Sequence, residues 1–489
     1  MRKLIGLLLV SLFLGSNLIG PAAAQSKKAM TLIQDLADKS PKVRASAAVE
    51  LGDLADVKLA DAQSAMPKLK ELLKDTDGEV RKAVIEALAK IEPDFKDQMA
   101  LLQSALKDKD SLVQLAGING FARLGQQMQD ARPTLQKEAL PTLQEVYKAS
   151  FDSKTAPKTA KAPPPPQPNM VDASPAGVRR SILNAVNQIQ PDAKMRVPFL
   201  IEALKPEKDV GVRLQIVNIL GQVGPLAKAA LPVLLETQKA SLQETAKSKD
   251  LDPQGLRRSI LVTIGSIEPE PKEYVPILTD ALKNDKDLGV RVTAAQALGR
   301  VGPPAKDALP ALLAAHKSAM AATDPQGLRK AILEAVTKIQ TDPKELVTLL
   351  IDFLKRERDL GVRLTVVTAL GEIGPPAKSA LPALLDAMKA SPPIPKALDP
   401  QGVRKAILET IGKLQPEPKE YVPILIDAMK KDRDTAVRTV AIQGLAQLGP
   451  VAKEAVPALT ELQKTKLTRD DDKALAKEAE AALQKIQSK

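Results

Sequence analysis

Residues 359–382 read DLGVRLTVVTALGEIGPPAKSALP, and this pattern occurs four times between residues 209 and 457. The Leu-Pro or Val-Pro dipeptides that close the four copies end at Pro232, Pro310, Pro382 and Pro457, with spacings of 78, 72 and 75 residues. Self-similarity at a nearly fixed period is the signature of a repeat array, in which each unit buries its apolar face by stacking on its neighbours. The pattern therefore predicts the architecture of the chain and leaves its activity open.

A second phrase divides each long period into two units. The phrase is Asp-Pro-Gln-Gly, and it begins at Asp252, Asp324 and Asp399. The arginine that follows it lies 34 residues before the arginine of the longer pattern, as Arg329 lies before Arg363. With looser copies further upstream, the sequence contains 11 units, each long enough for two helices and their turns.

Each unit is expected to be a pair of helices. Asp359 is suited to cap a helix, because its carboxylate can accept the free N–H groups of the first turn. Apolar residues follow at helical spacing and end at Gly374, a residue that favours a helix stop, and Pro375 prevents continuation. The next helix is predicted to start near Pro382, where a first-turn proline sacrifices no hydrogen bond. No long alternation of apolar and polar residues predicts a strand, so the fold class is all-α.

The order Asp-x-x-Val-Arg, then Leu-Gly-x-x-Gly-Pro-x-Ala-Lys-x-Ala-Leu-Pro, resembles the HEAT-like repeats. The resemblance is greatest to the short bacterial kind described as phycobilisome-lyase-like, and it extends from about residue 30 to the C-terminus. It implies an α-solenoid of about 11 helix pairs in a right-handed superhelical stack. HEAT-like proteins include scaffolds, lyases, hydroxylases and nucleic-acid-binding proteins, so the resemblance does not select a function.

The aspartate and arginine that recur in the pattern have two interpretations. They can form a charged binding strip, or each Asp can cap its helix while the Arg pairs with an Asp of an adjacent repeat. The family resemblance implies the second arrangement, an internal ladder along the stack. The predicted structural ladder consists of Asp209, Arg213, Asp287, Arg291, Asp359, Arg363, Asp434 and Arg438.

The N-terminus has the features of a secretory signal peptide. Two basic residues precede an apolar run from Leu4 to Gly20, and small residues follow at 21–24. The sequence predicts a signal peptide at residues 1–24 that is cleaved after Ala24. An uncleaved membrane anchor is the alternative, although the run is short for a span. We therefore expect an exported protein, periplasmic or secreted, with no transmembrane span after cleavage.

The composition excludes much catalytic chemistry. The chain has no cysteine, so it has no thiol nucleophile and no thiolate metal site. His316 is the single histidine, and a site with several histidine ligands is impossible. We expect His316 to be a solvated side chain in a variable loop. No catalytic residue, metal site or cofactor is predicted.

The charge of the chain is positive but dilute. The formal net charge is +12, and lysines alternate with acidic residues instead of forming a long basic block. Tryptophan is absent and the chain has only three tyrosines and six phenylalanines, so few side chains can stack on bases. Nucleic acid is therefore an unlikely partner, and the expected partners are protein or an envelope polymer.

Residues 150–173 are the most prominent interruption of the array, with four consecutive prolines at 163–166. The segment occupies the same place within a helix pair as the shorter insertions at 240–251, 316–323 and 390–398. We interpret it as the largest of four loops at one edge of the stack. The alternative is a linker between N-terminal repeats at 25–149 and C-terminal repeats, with a terminal capping helix, at 174–489. If the stack is divided anywhere, the division is expected here.

Solenoids commonly bind along the concave face, which the second helices of successive units line. Positions three, six and ten after the Val of the Val-Arg pair point away from the apolar stripe. The candidate partner-binding residues at these positions are Gln215, Asn218, Gln222, Thr293, Gln296, Arg300, Thr365, Thr368 and Glu372. The alternative is a merely solvated surface. We expect a non-catalytic exported scaffold that binds protein partners here; the alternative function is an enzyme of the HEAT-like lyase type with an unrecognised site.

Overall fold

The computed structural model describes residues 21–128, 130, 132–151, 172–243, 253–320, 327–390, 402–464 and 470–488. All regular structure in these ranges is helical, and the chain forms an α-solenoid built from helix pairs. The chain divides into two compact units, residues 1–233 and 234–489. The handedness of the superhelix stays a prediction.

The first unit contains eleven α-helices and one 3₁₀ helix in its described part. They are α1 (Pro21–Asp35), α2 (Pro41–Ala55), α3 (Leu59–Gln63), α4 (Met66–Leu72), α5 (Gly78–Ile91), α6 (Phe95–Leu106), α7 (Ser111–Gln127), α8 (Arg132–Ala149), α9 (Pro175–Ile189), α10 (Ala193–Leu204), α11 (Val210–Val223) and η1 (Gly224–Ala230). The second helices of the pairs, α2, α5, α7, α9 and α11, pack side by side in a row.

The second unit repeats this arrangement. Its helices are α12 (Leu231–Gln243), within which the two units meet, α13 (Pro253–Ile267), α14 (Pro271–Asn284), α15 (Leu288–Val301), η2 (Pro303–Ala308), α16 (Leu309–Ala319), α17 (Leu328–Ile339), α18 (Pro343–Arg356), α19 (Leu360–Ile373), η3 (Pro375–Ala380), α20 (Leu381–Ala390), α21 (Val403–Lys413), α22 (Pro418–Lys431), α23 (Thr435–Leu448), η4 (Gly449–Ala455), α24 (Val456–Lys464) and α25 (Asp470–Gln487). The odd-numbered α-helices from α13 to α25 form its row of second helices.

The predicted helix boundaries and apolar stripes agree with the structure. The carboxylate of Asp359 accepts the backbone N–H of Val362 at 2.9 Å, so it caps α19 as predicted. Val366 and Leu370, one and two turns beyond Val362, are completely buried. The corresponding residues of the other second helices are buried in the same way, for example Ile216, Leu220, Ile260, Ile264, Ala294, Leu298, Ile332 and Val336. The repeated spacing therefore produces a continuous apolar stripe in each unit.

The Gly-Pro turn ends each of these second helices by a common mechanism. Gly374 has φ 70° and ψ −138°, a conformation that is accessible essentially to glycine alone. The residues after it form the 3₁₀ helix η3 before α20 begins at Leu381, with Pro382 in the first turn. The predicted helix start near Pro382 is thus correct, whereas the short 3₁₀ helix was not foreseen. The equivalent glycines also have positive φ, which is 66° at Gly224, 70° at Gly302 and 58° at Gly449.

The Pro-rich interruption is flanked by helices that belong together. Helices α8 and α9 pack against each other, and both lie in the first compact unit. Tyr147, at the end of α8, donates a hydrogen bond from its hydroxyl to Glu207 at 2.9 Å, and Arg179, at the start of α9, donates to the same carboxylate. The boundary between the compact units falls at 233/234. Whether residues 150–173 form an edge loop or a linker stays a prediction. Packing across the interruption holds its two sides together; most of the segment itself lies outside the described residues.

One helical run in the described part of the chain, Val210–Leu242, is long and apolar enough to cross a membrane by length and composition. The run consists of α11, η1 and the start of α12, and Ala227 inside it has a non-helical backbone. Ile216 and Leu220 on α11 are completely buried within the protein. Core packing between repeats accounts for part of the hydrophobicity of the run, since 39% of its most apolar window is buried.

Candidate functional site

A ladder of buried ion pairs connects successive repeats. In each pair, an arginine one turn into a second helix contacts a carboxylate of the next repeat. Arg257, for example, donates from Nε and Nη2 to the two oxygens of Asp285, at 2.8 and 3.1 Å. The side chains are only 8% and 1% exposed. Equivalent pairs are Arg44–Asp75, Arg81–Asp108, Arg179–Glu207, Arg329–Glu357 and Arg404–Asp432.

The carboxylates of this ladder are not the capping aspartates. Each lies two residues before the cap of its helix and also accepts the backbone N–H of the capping residue, as Asp285 does from Asp287 at 2.8 Å. Each ladder carboxylate therefore binds the arginine of the preceding repeat and also stabilises the turn before its own second helix. The ladder carboxylates are Asp75, Asp108, Glu207, Asp285, Glu357 and Asp432.

The ladder residues named from the sequence have other contacts. Asp209, Asp287, Asp359 and Asp434 cap their helices, as expected. The arginines in the same phrase donate to main-chain carbonyl oxygens: Arg213 to Lys208, Arg291 to Leu282, Arg363 to Ala387 and Arg438 to Met429. The Asp-Pro-Gln-Gly phrases that follow Arg213, Arg291 and Arg363 begin at Asp252, Asp324 and Asp399. These three aspartates lie outside the described residues, so a pairing of each arginine with the next of these aspartates stays a prediction.

The ladder shifts the ionisation of its carboxylates. Burial alone would raise the pKa of Asp75, but hydrogen bonds from Arg44 and from the Asp77 N–H more than compensate and lower it below its ordinary value of 3.8. The same balance lowers the pKa of Asp108. Burial would also raise the pKa of Glu357, but His316, the Asp359 N–H and the charge of Arg329 lower it below its ordinary value. These carboxylates are therefore charged at neutral pH and serve as structural acceptors.

His316 is buried, contrary to the expectation of a solvated loop residue. It lies within α16, is 3% exposed, and its ring packs edge-to-face on Phe353 with centroids 4.3 Å apart. Its Nε2 atom is 3.6 Å from an oxygen of the ladder residue Glu357. The helix continues to Ala319, so His316 falls on the same inward face as Leu312, one turn earlier. The side chain is part of the packing between repeats.

The candidate partner-binding residues lie along the outer surface of the second helices. Asn218, Gln222, Gln296, Arg300, Thr368 and Glu372 are exposed, whereas Gln215, Thr293 and Thr365 are half-buried. We call these nine residues the strip. The hydroxyls of Thr293, Thr365 and Thr368 donate to carbonyls of their own helices, and the Gln215 amide donates to the Arg180 carbonyl at 3.2 Å. The exposed amides of Asn218, Gln222 and Gln296, with the charged groups of Arg300 and Glu372, can thus form hydrogen bonds with a partner.

A charged helix interrupts the strip in the second unit. Helix α17 packs between α15 and α19, and its exposed or half-exposed positions carry Lys330, Glu334 and Lys338. Lys330 and Glu334 approach to 3.9 Å, one turn apart. The candidate residues predicted from the sequence include none on this helix. The same spacing rule, applied to Leu328, would have identified Glu334 and Lys338.

The family model for HEAT repeats matches residues 29–119, 67–155, 240–322, 317–398 and 394–484. Among curated proteins, no significant sequence match was found. Importin beta is a similar solved structure at 13% identity and a TM-score of 0.44, with 95% of this chain and 63% of that chain covered. Kap121p bound to the extreme C-terminus of Cdc14p is similar at 15% identity and a TM-score of 0.53, with 96% and 50% covered.

Kap121p bound to Pho4p gives a comparable similarity, with 14% identity, a TM-score of 0.51, and coverage of 96% and 55%. At these identities the likeness concerns the fold alone. The chain spans between half and about two thirds of the length of these three solved chains. The family matches cover most of the sequence, and they coincide with the helix pairs and the ladder that connects them. The chain belongs to the HEAT repeat family.

Proposed function

We propose that the protein is an exported, non-catalytic scaffold that binds a protein partner along the strip. The observation that supports this proposal is the repetition of exposed polar side chains at equivalent positions on α11 in the first unit and on α15 and α19, which flank α17, in the second. Positions of this kind offer similar weak contacts on several repeats, which suits an extended protein segment. A small substrate would instead require unlike groups that converge in one place.

The chemistry of the strip favours a polar partner surface. Asn218, Gln222 and Gln296 present amides that can both donate and accept hydrogen bonds, so they suit the backbone of a peptide. The strip contains no aromatic residue, and aromatic anchors usually dominate the affinity of compact interfaces. Binding is therefore expected to depend on the sum of contacts from several repeats.

The proposal of export rests on the N-terminal sequence and on where the core begins. Residues 1–24 have the basic, apolar and small-residue regions of a signal peptide. The first buried apolar residues of the described core are Ala29, Leu32 and Leu36, all after the proposed cleavage site. Removal of residues 1–24 would therefore leave this described core complete.

The single histidine supports a non-catalytic role. His316 is enclosed by Phe353 and Glu357 and is 3% exposed, so it is inaccessible to a substrate in this structure. A structural precedent for the binding proposal comes from Kap121p, which shares the fold and was solved with the extreme C-terminus of Cdc14p bound. An array of this fold can thus accommodate a segment of another protein.

The proposal is tested by capture of the natural partner from the envelope fraction of the producing organism, with mass spectrometry as the readout. The test variant carries Asn218→Lys, Gln296→Lys and Thr368→Lys, all at exposed positions. The control variant carries Thr134→Lys, Ala314→Lys and Thr348→Lys, which are exposed on first helices and add the same charge.

The strip variant should lose the partner while it retains the helical circular dichroism and melting temperature of the wild type, because the added lysines remove hydrogen bonds and repel cationic groups. The control variant should capture the partner normally. Normal capture by a folded strip variant would eliminate the strip as the binding surface. Recovery of an envelope polymer in place of a protein would contradict the proposed partner class.

A further inference from the structure

Arg363 is a buried cation without a ladder carboxylate. It stands one turn into α19, as Arg257 stands one turn into α13, and it is 6% exposed. Its Nη2 donates to the Ala387 carbonyl at 2.7 Å, and its Nε has no hydrogen-bond partner among the described residues. The Nε of Arg257, by contrast, donates to Asp285 at 2.8 Å. A buried N–H of a charged group that lacks an acceptor is costly, so an acceptor that reaches Nε of Arg363 would be stabilising.

The described residues contain no ladder carboxylate for Arg363. Ladder carboxylates stand two residues before the capping residue of the next second helix, as Glu357 does before Asp359. The capping residue of the next second helix, α21, is Gly402, and the residue two positions before it in the sequence is Pro400. The sequence therefore has no acid at this register.

Arg363 borders a large, predominantly basic cavity. The cavity has a volume of about 1190 Å³, and the cationic residues that line it are Lys317, Arg329, Lys355, Arg356, Arg358 and Arg363. The acidic lining residues are Glu357 and Asp386. Glu357 already binds Arg329 and the backbone N–H groups of Arg358 and Asp359. The positive charge of the cavity is therefore only partly neutralised by its own walls.

We propose that Arg363 binds a carboxylate of an acidic peptide segment that enters this cavity from a partner protein. The inference rests on the proposed function, because it names the chemistry of a partner that the scaffold would hold. The ligand would occupy the place that Asp285 occupies beside Arg257. Lys317, Lys355 and Arg358, which are exposed at the cavity wall, would attract the remaining acidic residues of the segment.

Two features favour a carboxylate over a phosphate group. First, Nε of five of the six paired ladder arginines donates to a carboxylate, whereas Nε of Arg291 and of Arg438 donates to a main-chain carbonyl. Where an acidic group reaches this Nε in the described residues, it is a carboxylate. Second, Glu357 and Asp386 line the same cavity, and they repel a dianionic phosphate more strongly than a single carboxylate. The cavity is also far larger than one small ion, and a peptide segment fits its volume.

The test uses isothermal titration of the mature chain with acetylated, amidated tetraglutamate at low ionic strength. Tetraglutamine with the same end groups and inorganic phosphate are the comparison ligands. Arg363→Gln removes the proposed anchor, and Arg363→Lys keeps the charge but not the planar fork that grips a carboxylate. Lys378→Gln, exposed in η3 beyond the opposite end of α19, makes the same change in charge and serves as the control.

Tetraglutamate should bind to the wild type and to Lys378→Gln, and tetraglutamine should not. Both Arg363 variants should bind tetraglutamate about 10- to 100-fold more weakly, the loss expected for a hydrogen-bonded charged group. Equal binding by wild type and both Arg363 variants would overturn the proposal, and so would phosphate binding tighter than tetraglutamate. The probe is synthetic, so failure here leaves the strip test of the proposed function unaffected.

Discussion

Removal of the charge should lower the free energy of unfolding much more for Arg257 than for Arg363, two buried arginines of the second unit with different contacts. Arg257 forms an ion pair with the carboxylate of Asp285. Arg363 donates a hydrogen bond to the Ala387 carbonyl and lines a cavity. We consider Arg257→Met and Arg363→Met, since methionine preserves much of the length and the apolar packing of the arginine stem. Both sites lie at the start of a second helix in the same compact unit, so the unfolding transition is shared.

The expected magnitudes follow from what each substitution leaves behind. Arg257→Met leaves Asp285, whose side chain is 1% exposed, without its cation. Loss of one partner of a buried pair costs about 3–5 kcal/mol of the free energy of unfolding. Arg363→Met sacrifices one charged hydrogen bond, about 1.5–3 kcal/mol, but it also relieves the burial that lowers the pKa of Arg363. A buried ion carries a desolvation penalty of several kcal/mol, so the net change should be about 1 kcal/mol or less.

Urea denaturation followed by far-ultraviolet circular dichroism measures both changes. The control is the double variant Arg257→Met with Asp285→Leu, which replaces the whole pair by apolar residues. This variant should recover most of the loss of Arg257→Met, because it no longer buries an unpaired carboxylate. Equal losses for Arg257→Met and Arg363→Met would refute the distinction between the two classes. A double variant as unstable as Arg257→Met would refute the proposed cause.

Three further predictions test the packing, the ladder and the interruption. Val362→Asp should cost several kcal/mol because it buries an unpaired charge, whereas Thr365→Ala should cost less than about 0.5–1 kcal/mol; equal shifts in melting temperature would show that the helix phase is wrong. The pKa of Asp75 is lower in the folded state than its ordinary value of 3.8, so its stabilising contribution is present above about pH 4 and is lost as the pH falls through the folded value. The difference in melting temperature between wild type and Asp75→Asn should accordingly shrink on acidification, and a constant difference from pH 7 to pH 3 would contradict this. Limited proteolysis within 150–173 should yield two fragments that remain associated on gel filtration, and separation of the fragments would indicate independent parts.

The period and the helix phase could be predicted from the sequence because they depend on local spacing. Asp359 caps α19, Val362 is buried and Gly374 ends the helix, as the spacing predicts. The exposure of Asn218 and Gln296 follows from the same helical geometry. Whether the strip binds a partner stays a prediction, since binding depends on a molecule that the sequence does not contain.

The ladder partners could not be identified from the repeated phrase alone. The phrase drew attention to Asp287 and its equivalents, which already accept N–H groups of their own helices. The acid that binds the arginine stands two residues earlier and is either Asp or Glu, so it is less regular in sequence. His316 was misplaced for a related reason: its neighbour Lys317 suggested solvent, whereas the helix phase turns the ring inward onto Phe353.

The alternation of ladder contacts makes the junctions of the second unit chemically unequal. Ion pairs connect α13 to the turn before α15, α17 to the turn before α19, and α21 to the turn before α23. At the intervening junctions, Arg291 and Arg363 donate hydrogen bonds only to carbonyl oxygens among the described residues. Apolar packing holds these junctions, and α15 packs more extensively on α17 than α13 does on α15. Each 72- to 78-residue period thus combines an ionic junction with an apolar one, and loss of a ladder charge should weaken only the first kind.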